Sequence, residues 1–509
     1  MDTARLVDLA LAHLRLSLWA LMLGSALSIP LGIAAARRPW LERAGLAVAS
    51  VIQTVPGLAL LAVMVPALAA VAAAGVPVRS VGVLPAVLGL MLYSLLPILR
   101  NTVVGIAGVD PAVLEAARGV GMTDRQRLWL VELPLALPVI IAGLRTATVW
   151  TVGMATLATP VGASSLGDLI FAGLQTRDHA AVISGCLASA GLALALDGLV
   201  RAAERGLRQR QRIAWLVPTS VVAVACLYTV GFSIASGLGD DRGAIRVGAK
   251  PFTEQYILAE VLSERVEAAG GSPQVLGSLG SNVAFEALVA GDLDLYVEYT
   301  GTIWTAYMGR EDVPEDPGSL RREVEAYLEA EHGVVIAATL GFENAYALAT
   351  RAPGAGGPRV TTISGLARVS AELAIAGDYE FFDRGEWRSL QGRYALSFAD
   401  RRTMDPALLY TALDQREVDV IAAYTTDGRL ASDDYVVLDD DRGAIPPYDA
   451  VVLARRPFLA ARPRLAHALA ALEAAIDART MRRLNRAVDL EGRTPQQAAA
   501  EAPRAPPGR

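Results

Sequence analysis

The chain has 509 residues, 53% of them hydrophobic, a mean hydropathy of +0.38 and a net charge of −6. That length predicts two or more domains, that hydropathy predicts that part of the chain lies in a membrane, and the acidic balance argues against nucleic acid as a partner. Only one of the 46 basic residues is a lysine, Lys250, and alanine is abundant, as a GC-rich coding sequence produces. The two cysteines, Cys186 and Cys226, lie in apolar runs; they carry neither metal-ligand spacing nor a disulfide framework.

In chain order, six apolar segments near 15–36, 46–72, 82–106, 135–157, 180–200 and 213–236 each approach the ~20 residues that a bilayer requires. The first ends in Ala34-Ala35-Ala36, like a cleavage site, but a polar amphipathic segment precedes it and further spans follow, so it reads as retained. Arginine placement orients the spans. Eleven arginines (37, 38, 43, 118, 125, 127, 201, 205, 208, 210 and 212) fall on one side and three (5, 79 and 177) on the other. The loop at 110–134 is therefore expected in the cytoplasm. Six spans then put everything beyond residue 236 outside it.

That loop, DPAVLEAARGVGMTDRQRLWLVELP, is charged between two apolar runs. Asp110 suits an N-cap, Pro111 the first helical position, and Gly119 or Gly121 a helix end. A second short helix is expected from Thr123 or Asp124 to Pro134. Periodicity leaves two readings open: a merely polar connection, or amphipathic helices that dock on a soluble partner.

Beyond a Gly/Ser/Asp linker at 236–243, short apolar strands alternate with helical patterns: IRVGA (245–249), a helix near 254–269, QVLGSL, a helix near 282–290, and LDLYVEY (293–299). Such alternation predicts an α/β domain with a mainly parallel sheet. Its length permits two lobes, with crossings near Asn344–Ala349 and Val436–Val452 and the last helices, near 463–485, back on the first lobe. The 491–509 segment is expected to be disordered. Twelve of the fourteen tyrosines lie in this half, but spacing alone selects none of them. The four histidines are scattered, and no GxSxG occurs. Gly243-x4-Gly248-Ala249-Lys250 misses a phosphate loop because the lysine comes one place late and Pro251 replaces Ser/Thr. No catalytic set, metal site or cofactor site emerges.

Glu115-Ala116-Ala117, Gly121 and Leu133-Pro134, with QTVPGLALLAVMVP, YSLLPILRNTVVGI and ATLATPVGASSLGDLIFAGL, resemble the permeases of the bacterial ABC importers for glycine betaine, choline and carnitine. GAKPFTEQYILAEVL, ALVAGDLDLYVEYTGT, GFENAYALAT, MDPALLYTALDQREVDVIAAYTTDGRL and DDDRGAIPPYDA resemble the substrate-binding protein of the same importers. The resemblance implies a multi-domain fusion in a bacterial plasma membrane. An all-α polytopic permease (1–212, with its coupling loop at 110–134) and a final span with linker (213–243) would precede an extracytoplasmic, bilobed α/β domain of periplasmic-binding-protein type (244–490, second lobe about 348–440).

The resemblance also implies roles. Tyr299, Tyr346, Tyr424 and Tyr448 match an aromatic cage for a small quaternary amine; Lys250, Thr302 and Arg384 match an anchor for its carboxylate. Glu115, Ala116, Ala117 and Gly121 match the helix that couples to a separate ATP-binding subunit, in a transporter built on a permease homodimer. The sequence departs from the family at Gly385-Glu386-Trp387, where an Asp-Gly turn is more usual, and at Glu343, where asparagine is common. The same architecture with ergothioneine or an amino acid as cargo stays open, as does a ligand-gated sensor or channel, which would have no use for the Glu115 loop.

Overall fold

The computed structural model describes residues 3–503 except 77, 176–177, 210–211, 239–242, 311–316, 379–380 and 405. Two compact units emerge, one helical and one α/β.

The helical unit begins with α1 (Thr3–Ala35), followed by α2 (Pro39–Thr54), α3 (Gly57–Ala73) and α4 (Val83–Ala107). α5 (Pro111–Gly119), α6 (Asp124–Arg127), α7 (Leu133–Met154), α8 (Gly167–Gln175), α9 (His179–Arg208) and α10 (Arg212–Leu238) complete it. Among the described residues, five helices are long and apolar enough to cross a bilayer, and α2 with α3 makes a sixth crossing if the pair counts once. The span expected over 46–72 falls on this pair of helices, which is bent by 102°. Pro56 is the cause: it brings no N–H and pushes Val55 to φ −68, ψ 129, outside the helical region. The helices pack closely through small residues, as they do where lipid supplies no hydrophobic drive. A Cβ on Gly32 would come within 2.7 Å of Thr102, and one on Gly143 within 2.7 Å of the Pro97 carbonyl. Arg145 on α7 pairs with Asp197 (3.2 Å) and Glu204 (3.3 Å) on α9, so charges placed in apolar helices neutralise each other.

The α/β unit contains β1 (Ala244–Gly248), α11 (Thr253–Ala268), β2 (Ser272–Leu276), β3 (Leu295–Tyr299), α13 (Thr300–Thr302), α14 (Pro317–His332) and β4 (Val334–Glu343). α12 (Ser281–Ala290) lies between β2 and β3 in the chain. The second lobe runs through β5 (Tyr346–Arg351), α15 (Ile363–Ala367), β6 (Ala374–Gly377), α16 (Gly385–Tyr394), β7 (Asp400–Thr403), α17 (Pro406–Asp414), β8 (Val420–Tyr424) and β9 (Tyr435–Val437). β10 (Asp449–Arg455), α18 (Arg456–Ala460), α19 (Pro463–Ala470), α20 (Ala478–Asp489) and α21 (Pro495–Ala499) return to the first lobe.

Among the described residues each lobe has a five-stranded sheet, ordered β2-β1-β3-β10-β4 and β7-β6-β8-β5-β9. Both are mixed rather than mainly parallel. β10 runs antiparallel to β3 and β4, and β5 antiparallel to β8 and β9, because the chain enters one sheet and re-enters the other against the direction of its neighbours. The first-lobe core takes in Leu465, Leu469, Met481 and Leu484 from α19 and α20. The segment expected to be disordered contributes too. A capping box of Thr494 and Gln497 starts α21, whose Ala498 and Ala499 are buried in that core; 504–509 lie outside the described residues.

One buried carboxylate joins the elements that meet between the lobes. Glu254, 2% exposed on α11, accepts from the Tyr299 hydroxyl (2.5 Å), Asn344 Nδ2 (2.9 Å) and Asn485 Nδ2 (3.2 Å). Asn485 Nδ2 also donates to the Thr426 carbonyl (2.8 Å), which carries the link into the second lobe. Burial pushes the Glu254 carboxyl above its usual range. A raised folded value means that the carboxyl adds stability fully below ~4.3, the unfolded value, and loses it as pH climbs through the folded value. Glu254→Gln should therefore remove a downward slope of stability with pH, so the wild type loses ground to the variant from about pH 4.3 upward. Denaturant midpoints of the receptor domain between pH 4 and 8 measure this. Glu254→Ala, which strands three buried donors, should cost roughly 2–4 kcal/mol at pH 7.

Candidate functional site

Tyr299 closes β3, opposite Ala450 on β10, at the point where the chain turns into α13. The strand LYVEY is buried throughout and yet holds a carboxylate, Glu298. Glu298 is satisfied locally: the Lys250 ammonium pairs with Oε1, the Tyr299 N–H donates to Oε1 (2.9 Å), and the Tyr296 (3.3 Å) and Tyr307 (3.1 Å) hydroxyls donate to Oε2. Lys250 is only 3% exposed, and its Nζ lies 4.6 Å from the centre of the Tyr299 ring. Expected at a ligand carboxylate, Lys250 thus directs its charge to Glu298; a buried ammonium needs that partner. Thr302 is buried at the end of α13. Tyr448 lays its ring against the same turn, where a Cβ on Gly301 would meet it at 2.5 Å.

On the second lobe, antiparallel pairing of β5 with β8 sets Tyr346 directly opposite Tyr424. Their ring centres are 4.8 Å apart. Both hydroxyls donate to one oxygen of Asp378, each at 2.9 Å, and its other oxygen accepts from the Phe381 N–H (2.8 Å). Burial pushes both hydroxyls well above the usual tyrosine range, so they remain protonated donors. Phe381 packs 5.1 Å from the Tyr346 ring on one side. The Arg384 guanidinium stands 5.6 Å from that ring's centre and 3.7 Å from Glu386 Oε1. The Tyr448 hydroxyl donates to the same Glu386 oxygen.

The structure therefore gathers Tyr346, Tyr424 and Arg384 into one group, and Lys250, Tyr299, Thr302 and Tyr448 along the first lobe; the Tyr448–Glu386 bond links the two. Sequence reading passed over Glu254, Glu298 and Asp378. Glu298 had a signal, a charge inside a continuous apolar strand, while Asp378 had none beyond its place after a strand. Arrangements of this type suit binding: Lys250 and Arg384 each lie over an aromatic ring, and Glu254, Glu298 and Asp378 are each held by donors.

In the helical unit, Asp110 caps α5 by accepting from the Ala112 N–H (2.8 Å). Glu115 and Ala116 are exposed, Ala117 is buried, and Gly121 takes φ +81, which favours glycine. Between α6 and α7 the helix widens into a π-turn over Leu128–Glu132. Glu132, buried there, accepts from Arg127 (2.8 Å) and from Arg37 at the end of α1 (2.9 Å). Val120 and Trp129 stay largely exposed on this charged loop.

Residues 243–503 match the family model described as the substrate binding domain of ABC-type glycine betaine transport systems. Residues 28–209 match the binding-protein-dependent transport system inner membrane component. The chain is 30% identical, over 467 residues, to the ergothioneine transport permease/ergothioneine binding protein EgtU of Helicobacter pylori (strain G27), covering 89% of this chain and 81% of that protein. Over 195 residues it is 42% identical to the choline transport system permease protein OpuBB of Bacillus subtilis (strain 168), 38% of this chain and 85% of that one. A crystal structure of a glycine betaine/carnitine/choline ABC transporter aligns at TM-score 0.46 and 28% identity, over 50% of this chain and 96% of its own. From the Glu115 loop, α7, α9 and α10 are three crossings, so the chain beyond them lies on the opposite, extracytoplasmic face. The chain belongs to the binding-protein-dependent ABC importers, as a multi-pass permease fused to a substrate-binding domain of the glycine betaine transport type.

Proposed function

We propose that this chain imports a quaternary ammonium compound, driven by ATP hydrolysis in a separate nucleotide-binding subunit that seats on the Glu115 loop. The observation that carries the reading is the Tyr346–Tyr424 pair, whose hydroxyls are both turned to Asp378 while Arg384 stands over the Tyr346 ring. A quaternary ammonium donates no hydrogen bond and sheds water cheaply, so ring faces are its natural partners, at roughly 0.5–2 kcal/mol each. Four such faces, with Tyr299 and Tyr448, contribute about 2–8 kcal/mol of the roughly −8 kcal/mol that a micromolar ligand needs, and the carboxylate contacts add to it. Arg384, with the Thr302 hydroxyl, takes the ligand carboxylate; Lys250 serves as counter-ion to Glu298 behind Tyr299.

Ligand then draws the lobes together, because it binds the closed arrangement better than the open one. The closed receptor docks on the outer mouth of a permease dimer, where tethering keeps its effective concentration high. ATP-driven movement of the Glu115 helix passes through the Arg37–Glu132–Arg127 contacts to α1 and α7. Ergothioneine is the second cargo supported by an observation, since the relative of that name spans most of the chain. It carries the same trimethylammonium and carboxylate groups, so the cage serves both.

Tyr346→Leu and Tyr424→Leu should each weaken binding of glycine betaine or choline by about 3- to 30-fold, read by calorimetric titration of the purified chain. Equal affinity in both variants and wild type would sink the cage. Removing Glu115–Gly121 should abolish ATP-dependent uptake into proteoliposomes and leave ligand affinity unchanged; a sensor or channel would instead keep its ligand response without any ATPase.

A further inference from the structure

Glu386 stands where the family pattern has an Asp-Gly turn, and it opens α16 with its side chain turned inward. The residue is 1% exposed. Its Oε1 accepts from the Tyr448 hydroxyl and lies 3.7 Å from Arg384, too far for a hydrogen bond. Its Oε2 has no hydrogen-bond partner among the described residues. A buried carboxylate oxygen without a donor is costly, and such an atom between two residues of a binding site is a place for a ligand group. Arg384 softens the charge without filling the vacant acceptor.

We propose that Glu386 is a specificity-determining residue: Oε2 accepts from an N–H or O–H of the ligand, so the cargo is a quaternary ammonium compound that also bears a hydrogen-bond donor. This rests on the cage reading above and narrows it. Glycine betaine has a trimethylammonium and a carboxylate but no donor, and it leaves Oε2 stranded. A hydroxyl, as in choline or carnitine, or a ring N–H, as in ergothioneine, satisfies it. A site built to accept a hydrogen bond rejects the analogue that lacks the donor far more strongly than an apolar pocket rejects a missing methylene. The neighbouring Arg384 adds a preference for ligands that carry a carboxylate as well, on the other side of Glu386.

Matched ligand pairs test this without relying on any variant. Full-length chain in detergent is titrated calorimetrically with choline and its O-methyl ether, with carnitine and γ-butyrobetaine (carnitine without its hydroxyl), and with ergothioneine and glycine betaine. The donor-bearing member of each pair is expected to bind at least tenfold tighter. Glu386→Gln keeps an acceptor for Tyr448 but loses the charge, and it should cut that advantage to threefold or less, with an unchanged melting midpoint as the folding control. Quaternary amines that bind with no difference within the pairs, or a Glu386→Gln chain that weakens both members alike, overturn the proposal and leave the cage reading standing. Failure of all six compounds to bind overturns both.

Discussion

A carboxylate removed from water must find donors, and the donors it finds decide which chain segments are held together. Glu254 gathers the end of β3, the crossing segment at Asn344 and α20. Glu298 gathers Lys250 with two tyrosine hydroxyls, and Asp378 gathers the two facing tyrosines of the second lobe. Each of these acids lies beneath an aromatic surface rather than on it. The rings of Tyr299, Tyr346 and Tyr424 are thereby held in place through their hydroxyls.

The same constraint operates in the helical unit under stricter terms, because lipid supplies no alternative partner. Arg145 meets Asp197 and Glu204 there, and Glu132 meets Arg127 and Arg37. The second of these sits at a π-turn, a local widening of the helix that often marks a functional place. It ties the 110–134 loop to Arg37, just beyond α1. Val120 and Trp129 on that loop are exposed.

Much of the architecture was legible in order along the chain. Apolar length marked the spans, arginine counts oriented them, and Asp110-Pro111 located the start of α5, because these signals are local or additive. The bend at Pro56 was a local signal too, yet the apolar run on either side of it masked the break. The helix at Pro495–Ala499 escaped because five residues carry too little periodicity; burial of Ala498 and Ala499 against α11 and α20 is what stabilises it. Mixed sheets replaced parallel ones since strand direction depends on how often the chain crosses between lobes, which no strand records by itself.

Sequence alone determined the class of the molecule: hydropathy and charge follow from composition within a window, and the motif runs from Gln53 to Ala450 identify the two modules. The tertiary structure decided which side chains act together. Tyr346 and Tyr424 are far apart in the chain and face each other only because β5 and β8 pair in that register. Lys250 became a counter-ion rather than a free anchor when β1 was placed beside β3, next to Glu298. Glu386 acquired its meaning last, since an unpaired oxygen is defined by every neighbour around it, and neighbours are a property of the fold.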